Sequence, residues 1–259
     1  MARQGYAQAL VKTADSDVSI LAHAYADIAQ QAGLEMLFLV YGPEEKYYNV
    51  LENVDNLGVN VCKALPFFHA FTGCDTVSSF YQHGKAKFWK EWQDTYQHDQ
   101  TLTEVFKDMS DQPGSIDERS FNIICSFVYK VYGIDASENS SFKSLRTNQL
   151  LSIPNPNLRV IVPSPSGILQ QIKRACYQAG YLWKLCELEL SLPNPIEWGW
   201  KPDAEIVFIP RWQDEIPFDI LLLLKTCSCS KGKCSNSLCK QADLKCLRFC
   251  KCNKQTCEN

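Results

Sequence analysis

Residues 9–41, ALVKTADSDVSILAHAYADIAQQAGLEMLFLVY, decide the fold class. Ala9 to Thr13 reads as a short strand. From Val18, apolar side chains recur at Leu21, Tyr25, Ile28 and Ala32, the spacing of one helix face, and the stripe stops at Gly33. Met36 to Tyr41, MLFLVY, is then a continuous apolar run of the kind buried on both faces of a parallel sheet. Strand, helix and strand in that order predict a βαβ unit with a right-handed crossover. Sheets of this class place their chemistry at the carboxyl ends of the strands, and Ala14-Asp15-Ser16-Asp17 falls there. Two aspartates one residue apart suit a divalent cation. They equally suit a capping role, because Asp accepts hydrogen bonds from the free N–H groups of a first helical turn.

The chain has 259 residues, 46% of them hydrophobic and 12% aromatic, which is ample for a sizeable core. Its longest apolar run in the C-terminal half, Ile220 to Leu224, is far too short to span a bilayer and reads as a buried strand. No membrane partner and no small-molecule substrate is expected. Helices are predicted over Thr101–Met109, Ile116–Tyr132 and Ser140–Leu151, with Asp111 to Ser115 as the turn between the first two. Pro154 to Pro165 holds four prolines and reads as an extended link. Ser164-Pro165 is a helix start, with Ser at the N-cap and Pro at the first turn. A stripe from Ile168 to Cys186 predicts one long amphipathic helix packing on the first domain. Trp198-Gly199-Trp200-Lys201-Pro202 forms an aromatic turn, suited either to pinning a loop or to stacking bases. Strands are expected over Asp203–Pro210 and Ile216–Leu224.

Eight of the thirteen cysteines lie in the last 33 residues, spaced C-x-C-x4-C-x4-C-x6-C-x3-C-x-C-x4-C. So polar a segment cannot bury a core of its own, and crosslinks or metal must order it. Disulfides and zinc thiolates are the alternatives. The N-terminal stretch MARQGYAQALVKTADSD has no apolar signal region, and the thiols of an unsecreted chain stay reduced, which favours structural zinc. Eight sulfurs, Cys227, Cys229, Cys234, Cys239, Cys246, Cys250, Cys252 and Cys257, supply two four-thiolate sets. Cys62, Cys74, Cys125, Cys176 and Cys186 are scattered through apolar segments and read as buried small hydrophobes. The tail is also basic. Lys231, Lys233, Lys240, Lys245, Arg248, Lys251 and Lys254 face only Asp243 and Glu258, a net of +5, so the first 226 residues carry −8 of a whole-chain −3. A basic module on an acidic body suits contact with phosphates, as does a plain solvated surface.

CSCSKGKCSNSLCKQADLKCLRFCKCNKQTC resembles one cysteine-rich repeat of the tesmin-type CXC domain, a zinc-cluster module that binds DNA. That family usually has a third C-x-C and a DNA-contacting tyrosine at its centre, where this chain has Gln241 and Leu238. Asp15-Ser16-Asp17 together with Gly73-Cys74-Asp75 resembles the flap-endonuclease (XPG-like, PIN-fold) nucleases. The resemblance implies Asp15, Asp17 and Asp75 as Mg²⁺ ligands. In that family a DNA-gripping helical element follows, which here corresponds to Gly84-Lys85-Ala86-Lys87 and marks Lys85 and Lys87 as candidate backbone contacts. Phe88 and Trp92 behind them share a helix face and read as core. Over nearly its whole length (D-S-D, HAFTGCD, PSPSGILQQIKRACYQAGYLW, WGWKP and the cysteines) the chain resembles mobile-element-encoded proteins of invertebrates. These look like degenerate members of the nuclease class, and they carry an upstream glutamate–aspartate pair that this sequence is read as lacking.

The expectation is therefore an α/β fold. A truncated PIN-like, partly parallel sheet domain spans residues 1–135, a helical and strand extension packs on it over 136–224, and a zinc module follows over 225–259. Function is expected to be nucleic-acid association in the nucleus by an inactive or incomplete nuclease, with zinc structural and magnesium needed only if catalysis survives. Two-metal hydrolysis needs enough carboxylates to hold ions about 4 Å apart, and three aspartates are a marginal set. The alternative is a non-catalytic, zinc-stabilised protein-interaction module.

Overall fold

Strand β1 (Gln8–Thr13) pairs in parallel with β2 (Met36–Tyr41), Gln8 opposite Met36 and Thr13 opposite Tyr41, as the pattern of residues 9–41 predicts. The computed structural model describes residues 5–212, apart from residue 43 and segments 112–113, 115, 137–140, 153–158, 185–190 and 205–206. All eight tail cysteines, Cys186 and the strand expected over Ile216–Leu224 therefore lie outside the described residues. So do the tail's seven basic side chains.

The helix expected between the strands is two helices, α1 (Ser16–Ala24) and α2 (Ala26–Gln31), broken at Tyr25, whose backbone leaves the helical range at φ −110°, ψ 13°. No glycine or proline marks the break. Tertiary packing sets it: Ala26 is fully buried, while Asp27 pairs with Lys63 at 2.8 Å. Strand β3 (Lys46–Asn49) adds to β2 antiparallel, which gives the order β1-β2-β3. Burial of β2 is fuller on one face than on the other. Leu37 and Leu39 enter a cluster with Val50, Leu51, Val54 and Cys62, whereas Leu10 and Tyr47 of the neighbouring strands stay 55% and 65% exposed.

Helix α3 (Val50–Leu57) is capped by the Asn49 side chain accepting from Glu52 N–H. Gly58, at φ 87°, supplies the left-handed residue that separates it from α4 (Val59–Phe71). Apolar almost all round, α4 is the centre of the molecule. It packs against α1, α6 (Thr101–Asp111) and α9 (Pro165–Gly180). Between them lie α5 (Lys85–Tyr96), α7 (Glu118–Val131) and α8 (Phe142–Ser152), so the predicted middle helices are present within a few residues of their expected bounds. Phe68 of α4 lies 4.8 Å from Trp92 between ring centroids, and Phe67 lies 5.3 Å from Phe106. Phe88 and Trp92 are fully buried, the core reading of that pair, and Trp92 Nε1–H donates to Thr103 Oγ1 at 2.9 Å.

Pro66 sits inside α4, where it removes one backbone donor and crowds the preceding turn. The N–H of the next residue, Phe67, donates to Ser110 Oγ of α6 at 3.0 Å, and that hydroxyl donates to Phe106 O.

Ser164 caps α9 by accepting from Gly167 N–H, with Pro165 in the first turn. The helix stops at Gly180, and Leu182–Lys184 form a 3-10 turn in place of the expected continuation. Ile168, Ile172, Ala175, Cys176 and Ala179 are fully buried in the cluster that also holds the α4, α6 and α7 side chains. One core thus runs from α4 through α9, with the extension packing on the first 135 residues. A polar strip on α9 ties down two loops. Gln171 Nε2 donates to Phe71 O at 2.9 Å and Ser78 O at 2.6 Å, and Gln171 Oε1 accepts from Ser78 Oγ and Arg174. Arg174, 2% exposed, donates to Gly199 O and Arg211 O at 3.1 and 2.6 Å. The aromatic turn pins its loop: Trp198 packs 5.2 Å from Tyr181, and Gly199, at φ 84°, lies so close to α9 that a Cβ there would meet Gln170 O at 2.7 Å. Strands β4 (Trp200–Ala204) and β5 (Val207–Pro210) form an antiparallel hairpin where one strand was expected over Asp203–Pro210. Pro202 has no N–H to donate and is tolerated in so short an edge pairing. Cys62, Cys125 and Cys176 are buried as expected, and Cys74 is half-buried. Among the described residues, no helix is long and apolar enough to cross a membrane.

Candidate functional site

Two parallel strands and the helix between them bring the Asp-Ser-Asp stretch to the carboxyl end of β1. Asp15, in extended backbone at φ −94°, is the N-cap of α1, and its carboxylate accepts from Asp17 N–H at 2.8 Å. The Asp17 carboxylate accepts from Nε2 of His69 at 2.8 Å, and Ser16 Oγ lies 3.4 Å from the same nitrogen. His69 belongs to the last turn of α4 and its side chain is 6% exposed, against 21% for Asp17. Beneath the end of α4 lies the ammonium of Lys85, from the first turn of α5. It donates to His69 O at 2.6 Å, to Thr72 Oγ1 at 3.3 Å and to Gly73 O. Free carbonyls at a helix C-terminus carry partial negative charge, so a cation is well placed there.

Electrostatics follow from this packing. Burial, then the Lys85 ammonium, hold His69 below its ordinary 6.5, against the opposing pull of Asp17 and Asp15. Burial brings Lys85 down to about 8, opposed by Cys74 and Asp17. Asp17 thus has one direct basic partner, His69, with the Lys85 ammonium acting on it only through space.

The Gly73-Cys74-Asp75 segment runs on directly from His69. Gly73, at φ 116°, lies so near the chain that a Cβ would meet Ser79 Cβ at 2.7 Å, so glycine is required there for conformation and for space. A turn closed by Cys74 N–H on Val77 O follows at 2.9 Å. Asp75, at its tip, is exposed and makes no hydrogen bond or ion pair with a described residue. Cys74 Sγ lies 3.5 Å from Thr76 Oγ1, whose hydroxyl donates to Gln178.

These positions test the Mg²⁺ expectation for Asp15, Asp17 and Asp75. Mg²⁺ demands near-octahedral oxygen ligation, and among the described residues no three His, Cys, Asp or Glu side chains gather as a metal ion would need. Asp15 caps its own helix, Asp17 is paired with His69, and Asp75 faces solvent. A Ser–His–Asp relay is excluded on geometry as well. Ser16 and Asp17 meet the same ring nitrogen, whereas a relay sets them on opposite nitrogens. Lys85, expected as a nucleic-acid contact, is turned inward beneath α4. Lys87 is exposed, with Nζ 3.0 Å from His83 Nδ1.

Beside the Asp17–His69 pair opens a cleft of about 290 Å³, framed by α1, the ends of β2 and β3, α3 and His69. None of the nine side chains lining it is Asp, Glu, Lys or Arg. Its walls include Tyr41 and Tyr48 from the sheet, and Ser19, His23 and Asn53 from the helices. His23 Nδ1 lies 2.8 Å from Ser19 O, where it donates, and Nε2 lies 3.2 Å from the Asn53 amide nitrogen. Sequence reading passed over His23, Tyr41, Tyr48, Asn53 and His69. The usable signal was the histidine heading the HAFTGCD motif and the Ser19–His23 spacing of one helical turn. A larger cleft, about 1310 Å³, lies among α6, α7 and α8 and shares no lining residue with this one.

No known protein family, curated protein or solved structure matches this chain in comparisons of sequence and fold.

Proposed function

We propose that this protein associates with nucleic acid without cleaving it, as a nuclease-like α/β body whose strand-end aspartates are engaged by the protein's own groups. One observation carries the reading: Asp17 is held by His69 at 2.8 Å, with the Lys85 ammonium packed behind the same histidine. A carboxylate already held as a hydrogen-bond acceptor is less available as a ligand for a catalytic metal, while the resemblance of the D-S-D and G-C-D segments to flap endonucleases supports the nuclease-like reading of the body. Affinity for DNA lies in the tail, where seven basic residues stand against two acidic ones. Zinc held by Cys227, Cys229, Cys234, Cys239, Cys246, Cys250, Cys252 and Cys257 orders that tail, about two ions by the four-thiolate rule. A chain of this kind works in the nucleus.

Two measurements on the whole protein test the proposal. Native mass spectrometry of the reduced protein is expected to show about two bound zinc ions. Duplex DNA titrated at several salt concentrations is expected to bind with a log–log slope of roughly −0.9 per phosphate contact, and no cleavage is expected in Mg²⁺ or Mn²⁺. A protein ending at Leu224 loses that binding. Robust cleavage abolished by Asp17→Asn would overturn the non-catalytic reading. Equal affinity with and without the tail, or a flat salt response, would favour the protein-interaction alternative.

A further inference from the structure

The geometry points to the cleft between α1 and the β2–β3 edge as a pocket for one unstacked nucleobase, recognised by its ring face and its amide-like edge. This inference rests on the nucleic-acid reading above and names the part of the ligand that the body, as distinct from the tail, takes.

Three observations support it. First, the cleft offers aromatic faces: Tyr41 and Tyr48 line it, Tyr48 is 41% exposed, and among the described residues neither ring packs against another aromatic ring. The other large rings of the molecule are mostly stacked in the core. A base stacks on such rings whatever its identity. Second, the polar groups match a base edge. Asn53 commits one N–H to His23 Nε2, which leaves its other N–H and its carbonyl oxygen as a paired donor and acceptor. Third, charge selects the base over the phosphate. No lysine or arginine lines the cleft, Asp15 stands exposed at the start of α1, and the first 226 residues carry −8. An anion gains nothing there, whereas a neutral heterocycle loses little solvation on entry. At about 290 Å³ the space lies at the small end of ligand pockets, which start at roughly 300 Å³, and suits one base better than a dinucleotide.

The base can come from a free nucleoside or from a single strand, so the experiment has an arm for each. Full-length protein is titrated with adenosine, with a single-stranded oligodeoxyadenosine octamer, and with ribose 5-phosphate as the base-free control, while backbone amide shifts are followed by NMR. Saturable shifts at residues of α1, β2 and β3 are expected with adenosine, with the octamer or with both, and none with ribose 5-phosphate. The arm that saturates identifies the source. Tyr48→Ala and Asn53→Ala are each expected to weaken binding about tenfold, within the stacking range per base. Tyr48→Phe, which keeps the ring, retains it. An equal response to adenosine and ribose 5-phosphate, no saturation by roughly 10 mM in either base-bearing arm, or unchanged binding in Tyr48→Ala would each overturn the pocket. Duplex DNA binding on the same samples separates the two readings. Duplex binding without a base response removes the cleft alone, and a base response without duplex binding removes the tail-borne association and keeps the cleft.

Discussion

Two polar seams hold α4 in place, and they are built from different chemistry. On its α9 side, Gln171 and Arg174 spend their hydrogen bonds on backbone carbonyls, on Ser78 and on each other, and no carboxylate takes part among the described contacts. On its α1 side, Asp17, His69 and Lys85 meet as charged or titratable groups beside an open cleft. The first seam is buried and serves packing, although Arg174 Nε has no hydrogen-bond partner there. The second is partly wet and pH-sensitive, and it lies where ligands bind in sheets of this class. Buried amide networks specify structure when fully satisfied, whereas perturbed ionisable groups in a cleft mark functional sites.

The α9 seam should be the more costly to break. Gln171→Leu leaves Phe71 O, Ser78 O, Ser78 Oγ and one Arg174 N–H without their partner, and a loss of about 4 kcal/mol is expected from denaturant unfolding. Lys85→Met removes donors from His69 O, Thr72 Oγ1 and Gly73 O, but water reaches this half-buried site, so about 2 kcal/mol is expected. Equal losses in the two variants would erase the distinction. The smallest effect is in pH. Because His69 is held below 6.5 in the folded state, the unfolded chain takes up a proton first as pH falls. Stability is therefore fully present above about pH 6.5 and declines below it. His83 is lowered too, by burial and then Lys87, and adds a slope of the same sign. The readout is accordingly the difference between the wild type and His69→Gln, which should show the shallower acid decline. Identical profiles would mean that His69 does not titrate differently on folding.

Local pattern and tertiary override divide the legible from the illegible here. The parallel β1–β2 pair was readable because an apolar hexamer, MLFLVY, follows a helical stripe ended by Gly33. So was the α9 start, since Ser164-Pro165 is a local signal. The break at Tyr25 was not, because nothing in AYADIAQ disfavours a helix and the cause lies in burying Ala26 while freeing Asp27 for Lys63. Strand β3 was missed because KYYN is too short for a period to show. For the site, the sequence marked Asp15 and Asp17 at a strand end and left capping open as an alternative, and Asp15 does cap. What it could not carry was the direction of Lys85. A lysine in the first turn of a helix reads as solvent-facing, and only the preceding loop, folded back on Gly73, puts helix carbonyls within its reach.

Pro66 gives α4 a dependence that the contact pattern alone does not reveal. A helix with an internal proline lacks a complete hydrogen-bond ladder, and here the N–H of the following residue, Phe67, donates to Ser110, 43 residues further along the chain. The central helix is therefore tied to its neighbour through a backbone group, so docking of α6 supports the hydrogen-bonding of α4 as well as its packing.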